Sequence, residues 1–287
     1  MNIAESWLQS LQQPVLSVAS PFTLRLTLAR LIRSSGAAEA AILGGLRSDS
    51  PATAFLCGYQ CAMRFIDPAL EPEQWGAFCV SEKGLTSLSR MDTLYDRANG
   101  TLSGLKSHAM LARSVTDWFY IVARDKDSGD LVCVRVPRSA DGLEPGPDPV
   151  GQSFVPELPH NSLKLSNVAA ASGYFVADAH NQLNKPFRYH EDVLAALALS
   201  GWMVRQLGGH DHSHASALLA LMSAMSGLYS GTDSGYSATT LAMFDQCMAL
   251  LQDAAGELTG EAAAQWQRDR VLLVMGEKAR SVIRSRL

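Results

Sequence analysis

The first quarter of the chain has apolar residues at helical spacing. One face of the first predicted helix carries Leu24, Leu28, Leu31 and Ile32. A second apolar helix is predicted from Ala52 to Ile66, and it ends before Pro68 because proline cannot continue a helix. Gly44-Gly45 and the start signal Asp49-Ser50-Pro51 are predicted to separate the two helices. We therefore predict an N-terminal helical domain over residues 1–75.

The period of the pattern shortens between residues 76 and 170. Short β-type runs alternate there with turn residues, which predicts a β-domain. These runs are Ala77–Ser81, Leu102 with Leu105, Trp118–Ala123, Leu131–Val136 and Ser162–Ser166. Asp127-Ser128-Gly129 lies between two of the strongest runs, so we predict a hairpin at this point.

Residues 171–287 are predicted to form a C-terminal helical bundle. The helical segments lie near 189–207, 214–230, 238–256 and 261–285, with Gly-rich breaks between them. Their lengths and short connections suit an antiparallel four-helix bundle. The second segment carries Leu218, Leu219, Leu221, Met222 and Met225. A helix that is apolar over so wide an arc is either central or at an interface, so we expect a homo-oligomer of at least two chains.

The amino-acid composition argues against several classes of protein. Of 287 residues, 47% are hydrophobic and 18% are charged, which suits a packed core and argues against disorder. The net charge of −4 offers no broad basic surface, so we expect no nucleic-acid partner. No apolar run reaches the roughly 18 residues of a membrane helix, so we expect no membrane association either.

The five cysteines are an odd number, and each lies in an apolar context. This usage predicts buried free thiols in a reducing cytosol rather than disulfides. The N-terminal segment lacks the basic start of a secretion signal, and Ser285-Arg286-Leu287 is only close to the peroxisomal address Ser-Lys-Leu. The expected location is therefore the cytoplasm.

Several motifs in the β-region follow one another in an order known from one family. They are Ala77-Phe-Cys-Val-Ser-Glu82, Leu102-Ser-Gly-Leu-Lys-Ser107, Ala112–Arg124 with Asp117 before its strand, Pro159-His160 and Leu165-Ser-Asn-Val168. In sequence and spacing they resemble the β-domain motifs of the acyl-CoA dehydrogenases. The resemblance implies an α+β fold with N-terminal helices, a central β-domain and a C-terminal four-helix bundle.

The resemblance also implies a chemistry. Enzymes of this family remove an α-proton and a β-hydride from an acyl thioester of CoA or a carrier protein, using a carboxylate base and FAD. By this resemblance Phe78, Val80 and Ser81 would form a wall against the flavin ring. His108 and Met110 stand where the family commonly has Trp and Thr beside the ring, and a methionine cannot donate a hydrogen bond to flavin N5.

Two further departures from the family pattern leave alternatives open. The family's Arg-x-x-Phe-Gly segment is replaced by Gly208-Gly-His-Asp-His-Ser-His214, and the later Gly-Gly-x-Gly loop is not apparent. The first interpretation is a flavin-dependent oxidoreductase that catalyses α,β-dehydrogenation of an acyl thioester. The alternatives are a non-catalytic subunit or binding module of the same fold, and a flavin monooxygenase, which needs no carboxylate base.

Two glutamates are candidates for the base. The resemblance favours Glu277, because Arg268-Asp269 precedes it and Arg284 follows it at the family's intervals. Its alternative is a surface position on one continuous helix from Val271 to Ile283. Glu191 matches the minority of the family that has the base early in the first C-terminal helix. The alternative is that it is only a negative charge in the first turn of the helix, where it interacts favourably with the helix dipole.

The segment His210-Asp-His-Ser-His214 has residue types that bind metals. Alternate residues in a loop reach one ion only if the backbone curls, and Asp211 or Ser213 is a natural N-cap for the helix that follows. We therefore expect a solvated loop and predict no metal ligand. Cys57-x3-Cys61 lacks a second pair with matching spacing and also predicts none.

Overall fold

A computed structural model describes residues 3–209 and 211–287, and its chain divides into two compact units. One unit is helical and combines both ends of the chain: the residues before Ile66, the short segment Ser153–Glu157 and Phe187–Leu287. The other unit contains the strands and comprises Ile66–Gln152 and Leu158–Pro186.

The helices closely follow the predicted segments, except near the C-terminus. They are α1 (Ile3–Ser10), α2 (Pro21–Leu46), α3 (Pro51–Ile66), α4 (Lys185–Gln206), α5 (Ser213–Leu228), α6 (Ala238–Ala254), α7 (Gly260–Asp269), α8 (Val271–Val274) and α9 (Glu277–Arg284). Among the residues described, no helix combines the length and the apolarity that a membrane span would require.

The fourth predicted bundle helix is divided into α7, α8 and α9, so the continuous helix expected from Val271 to Ile283 is not present. Gly276 lies in the break before α9. A Cβ atom at this position would lie 2.5 Å from Nη1 of Arg280 and 2.9 Å from Oδ2 of Asp192. A side chain at this position would crowd the buried ion pair, and glycine is also a weak helix former.

Gly44 and Gly45, which the sequence pattern suggested as a helix break, lie where helices pack closely together. Helix α2 continues through Gly44 and Gly45 and ends at Leu46, so the prediction that they separate two helices was wrong. A Cβ atom on Gly45 would lie 1.9 Å from the carbonyl oxygen of Ala198 in α4. Gly45 therefore serves the contact between α2 and α4.

The apolar arc of α5 is largely covered within the helical unit. Leu218, Leu219, Met222 and Met225 are all buried there, and Leu221 is half-buried. A wide apolar arc is typical of a central helix as well as of an interface helix. The coverage of α5 therefore provides no support for an interface on that helix, and the homo-oligomer stays a prediction.

The second unit is built on one mixed sheet. Its strands are β1 (Gly76–Cys79), β2 (Leu94–Asp96), β3 (Thr101–Met110), β4 (Trp118–Asp125), β5 (Leu131–Pro137), β6 (Leu143–Pro145), β7 (His160–Ala169) and β8 (Phe175–Val176). The strand order is β6-β7-β3-β2-β4-β5-β8, and β1 pairs in parallel with the first half of β4. The predicted hairpin is confirmed, because β4 and β5 pair antiparallel around Gly129 with its φ of 78°.

Strand β3 is irregular at two places, and both bear on the candidate site. At Gly104 the φ angle is 151°, and a Cβ atom would lie 2.5 Å from Cα of Thr93, so only glycine fits. Between Lys106 and Ala109 the pairing with β7 shifts register. Such a bulge redirects the side chains next to it.

The cysteine prediction is confirmed for all five residues, which are free and buried. Burial raises the pKa of the Cys57 and Cys79 thiols to about 12 and that of Cys247 to about 11. Thiols with such pKa values stay protonated near neutral pH and are poor nucleophiles. These cysteines therefore belong to the packing of the two units.

Candidate functional site

The end of β1 and the bulged part of β3 are neighbours. The backbone N–H of Ser107 donates to the carbonyl oxygen of Ser81 over 2.9 Å. Phe78 in β1 and Val80, which directly follows the strand, are half-buried and alternate with two residues of the sheet core, so they face away from that core. Ser81 follows them and is exposed.

His108 and Met110 complete the set of predicted wall residues. His108 is exposed, and its Nδ1 lies 2.9 Å from the hydroxyl of Ser107. Met110 is buried, with 6% of its surface exposed. The His108 ring lies 6.5 Å from that of His160, whose pKa burial lowers to about 4. His160 is therefore neutral at physiological pH.

A buried ion pair holds the end of β1 in place. Lys106 is fully buried, and its Nζ donates to Oε1 of Glu82 over 2.8 Å and to the carbonyl oxygen of Val80 over 3.2 Å. Burial alone would raise the pKa of Glu82, but the hydrogen bond from Lys106 helps to hold this pKa below its ordinary value. The carboxylate also accepts from the backbone N–H of Asp92 over 2.7 Å. Lys106 thus fixes the two residues on either side of Ser81.

The wall residues fit one part of a flavin cofactor. Phe78 and Val80 offer an apolar surface of the kind that suits a planar ring, and the exposed hydroxyl of Ser81 and imidazole of His108 can hydrogen-bond to a polar ring edge. The side chain of Met110 carries neither an N–H nor an O–H. Ser81 and His108 therefore offer side-chain donors that would suit a flavin ring edge, whereas the side chain of Met110 offers none.

Glu277 is the first residue of α9, and two arginines hold its carboxylate. Oε1 lies 2.6 Å from Nη1 of Arg284, and Oε2 lies 3.3 Å from Nη2 of Arg280. The side chain is 51% exposed. The hydrogen bond from Arg284 lowers the pKa of Glu277 below its ordinary value. These contacts stabilise the carboxylate and make it a weak proton acceptor.

Arg268 and Asp269, two of the three residues whose spacing favoured Glu277, make contacts elsewhere. Asp269 is buried, and it accepts from the backbone N–H of Val155 over 2.7 Å. Arg268 pairs with Asp269 and with Glu157. The Arg268-Asp269 pair thus fixes the segment Ser153–Glu157 within the helical unit. This role is structural and does not involve Glu277.

Glu191 has the opposite environment. It lies on α4, and only 18% of its side chain is exposed. Burial raises the pKa of Glu191, although Nη1 of Arg188 lies 3.1 Å from its Oε2 and opposes that shift. A carboxylate with a raised pKa is a stronger base and is typical of catalytic carboxylates.

A chain of ion pairs within the helical unit connects the neighbourhoods of the two glutamates. Arg188 lies between Glu191 and Asp192, at 3.1 and 3.5 Å. Nη1 of Arg280 lies 2.6 Å from Oδ2 of Asp192, which also accepts from the hydroxyl of Tyr236 over 2.9 Å. Both members of the Asp192–Arg280 pair are buried.

Sequence reasoning missed this network. The spacing of Arg188 to Glu191 and Asp192, three and four residues apart, is a local signal that could have indicated the first two pairs. Arg280 and Asp192 are 88 positions apart, and no local pattern connects them.

The fold of this chain has counterparts among solved structures, although its sequence matches no known family. No protein-family model and no curated protein matches it. An FAD-dependent dehydrogenase matches over 100% of this chain and 99% of its own, with a TM-score of 0.71 at 14% identity. Butyryl-CoA dehydrogenase from Megasphaera elsdenii matches over 98% and 97%, with a TM-score of 0.68 at 12% identity. The prolyl acyl carrier protein oxidase AnaB matches over 99% and 97%, with a TM-score of 0.63 at 13% identity.

These matches extend over both units of the chain. The protein therefore has the acyl-CoA dehydrogenase fold, and the fold predicted from the β-region motifs is confirmed.

Proposed function

We propose that the protein is a flavin-dependent oxidoreductase that catalyses α,β-dehydrogenation of an acyl thioester. The observation that carries this proposal is the wall formed by Phe78, Val80 and Ser81 with His108, on a fold whose structural neighbours include an acyl-CoA dehydrogenase. The clamp from Lys106 to Glu82 and to the Val80 carbonyl supports it, because it fixes the wall.

FAD, when bound, would accept the hydride from the substrate β-carbon. The hydroxyl of Ser81 and the imidazole of His108 would hold the ring edge, and Phe78 and Val80 would cover its face. Glu191 would take the α-proton, because its buried carboxylate has a raised pKa. Arg188 would orient that carboxylate through its ion pair. Glu277 is the second candidate base, and its two arginine partners weaken it.

The thioester carrier is CoA or a carrier protein in this proposal. Both kinds are represented by name among the structural neighbours, in butyryl-CoA dehydrogenase and in the prolyl acyl carrier protein oxidase. A non-catalytic subunit is the second candidate function. It is favoured by Met110, which is buried and whose side chain would offer no hydrogen-bond donor to a ring beside it.

Flavin uptake and reduction test the proposal. We expect purified protein to bind FAD and the bound flavin to bleach when acyl-CoA or acyl-carrier thioesters are added anaerobically. Replacing Ser81 with tryptophan should lower flavin occupancy without unfolding the protein, because the larger side chain would fill the space that the edge of the flavin ring would occupy. Ser139→Trp, at an exposed turn position of the same unit, is the matched control and should retain the flavin.

Equal flavin occupancy in Ser81→Trp and the control would contradict the placement of the ring. A protein that binds no FAD would support the non-catalytic subunit. FAD binding without bleaching by any thioester would exclude the proposed reaction.

We also propose that the protein is a cytoplasmic homo-oligomer. Apolar side chains are exposed along the C-terminal helices, with Val274 at 50%, Met275 at 56% and Val282 at 44%. Such residues are candidates for an interface between chains. Static light scattering at micromolar concentration should give at least twice the chain mass of 30.9 kDa. A scattering mass equal to one chain would contradict the proposal.

A further inference from the structure

The loop between α4 and α5 brings two histidines together. His212 immediately precedes α5, and His214 lies in its first turn. His210, from the same sequence motif, lies outside the described residues. Opposite them is Glu257, in the short turn that follows α6. The sequence predicts a solvated loop. In the structure, however, both imidazoles contact this glutamate.

The three side chains converge on a small volume. Nε2 of His212 lies 2.5 Å from Oε2 of Glu257, and Nδ1 of His214 lies 2.5 Å from Oε1. The two imidazole rings stack at 26° with centroids 5.7 Å apart. One ligand atom from each of the three residues lies within 4.8 Å of the others. Each side chain is 28–42% exposed, so ions can reach the cluster from solvent.

We propose that His212, His214 and Glu257 form a binding site for a divalent transition metal of the zinc type. Two imidazole nitrogens and one carboxylate oxygen are an established ligand set for Zn²⁺, with metal–ligand bonds of about 2.0–2.2 Å. The imidazoles make the site selective against Mg²⁺ and Ca²⁺, which prefer oxygen ligands.

Hydrogen bonds alone describe this cluster poorly. An N–H···O bond normally spans about 2.7–3.2 Å, and both contacts to Glu257 are shorter. Each contact also needs a proton on the nitrogen that faces the carboxylate, whereas a metal uses the lone pair of a neutral imidazole. Small rotations of the three side chains would open the space for one ion between them.

The site would connect the start of α5 to the end of α6. His212 and Glu257 are 45 positions apart. A link between them closes the hairpin of these two helices and reduces the conformational entropy of the unfolded chain. Three protein ligands leave at least one coordination position for water, as at sites that are not fully closed by protein. The proposed role is a metal clip on the helical bundle, independent of the flavin chemistry.

Metal titration of the untagged, full-length protein tests the site. We expect one Zn²⁺ per chain in competition with a chromophoric chelator, and a visible spectrum typical of low-coordinate cobalt when Co²⁺ is used instead. His212→Ala, His214→Ala and Glu257→Gln should each weaken Zn²⁺ binding at least about 100-fold, because loss of an outer-shell partner alone already weakens binding 10–100-fold. His180→Ala, at another partly exposed histidine, should bind as tightly as the wild type.

A second measurement separates the site from a general effect of the substitutions. Zn²⁺ should raise the Tm of the wild type and of His180→Ala, and leave that of Glu257→Gln unchanged. The proposal is overturned if the wild type binds no stoichiometric Zn²⁺, if bound cobalt gives only a six-coordinate spectrum, or if the three variants bind Zn²⁺ like the wild type. The wild-type measurements decide even if a histidine variant does not fold.

Discussion

Replacing Glu191 with glutamine is expected to slow the bleaching of bound FAD by an acyl thioester at least about 100-fold. Glutamine keeps the size and the hydrogen bonding of the side chain but cannot accept the α-proton. The raised pKa of Glu191 adds a pH signature. The base must be ionised, so the wild-type bleaching rate should fall as the pH is lowered through this pKa. The measurement is stopped-flow absorbance of the flavin under anaerobic conditions.

Two further variants make this result specific. Glu277→Gln should slow bleaching much less than Glu191→Gln, because Arg280 and Arg284 already hold that carboxylate ionised. Glu261→Gln, on the exposed first turn of α7, is the matched control and should leave the rate unchanged. If Glu277→Gln abolished bleaching and Glu191→Gln did not, the roles of the two glutamates would be reversed. Bleaching that survived both substitutions would remove both residues as the base.

Replacing Arg280 with methionine should lower the free energy of unfolding by about 3–5 kcal/mol. Arg280 is 1% exposed, and it donates to Asp192 and to the carbonyl oxygen of Leu273, each over 2.6 Å. Its guanidinium also lies 4.5 Å from the ring centroid of Phe244. Methionine leaves Asp192 as a buried carboxylate whose nearest remaining cation is Arg188 at 3.5 Å. Equilibrium unfolding in urea measures the change.

The double variant Asp192→Leu/Arg280→Met separates the unpaired charge from the loss of packing. It should be more stable than Arg280→Met alone, because a buried ion pair can often be replaced by apolar residues at little loss of stability. Arg286→Met, at an exposed position near the C-terminus, is the control and should change the free energy of unfolding by no more than about 0.5 kcal/mol. A loss below about 1 kcal/mol for Arg280→Met would show that Asp192 does not depend on this arginine.

Local chemistry was sufficient to predict much of the fold. Helix α3 begins at Pro51 and ends at Ile66, shortly before Pro68, and the β4–β5 hairpin turns at Gly129. Both features depend on residues close together in the sequence. Strands β2, β6 and β8 were missed because they have two or three residues each, too few for a period to be recognised. Their pairing partners, rather than their own sequences, define them.

The candidate wall stays a prediction, and it comes from two consecutive motifs that supply Phe78 to Ser81 and His108 to Met110. The sequence could not determine how these residues are held. The position of Ser81 depends on the pairing of Lys106 with Glu82, 24 positions earlier, and on a bulge in β3. A bulge is a property of two paired strands, and the single-strand pattern contains no sign of it.

Our proposal of Glu191 over Glu277 as the base depends on tertiary structure alone. In the sequence, arginines at family intervals favour Glu277, whereas in the folded chain the same Arg284 lowers its pKa. Glu191 gains its raised pKa from burial. At the break before α9, Gly276 lies close to Asp192, and this contact likewise exists only in the folded chain. Thus the sequence by itself determined most of the helices, the longer strands, their order and the fold family they resemble. Only the tertiary structure determined the charges around each carboxylate, because burial and ion pairs join residues that are far apart in the chain.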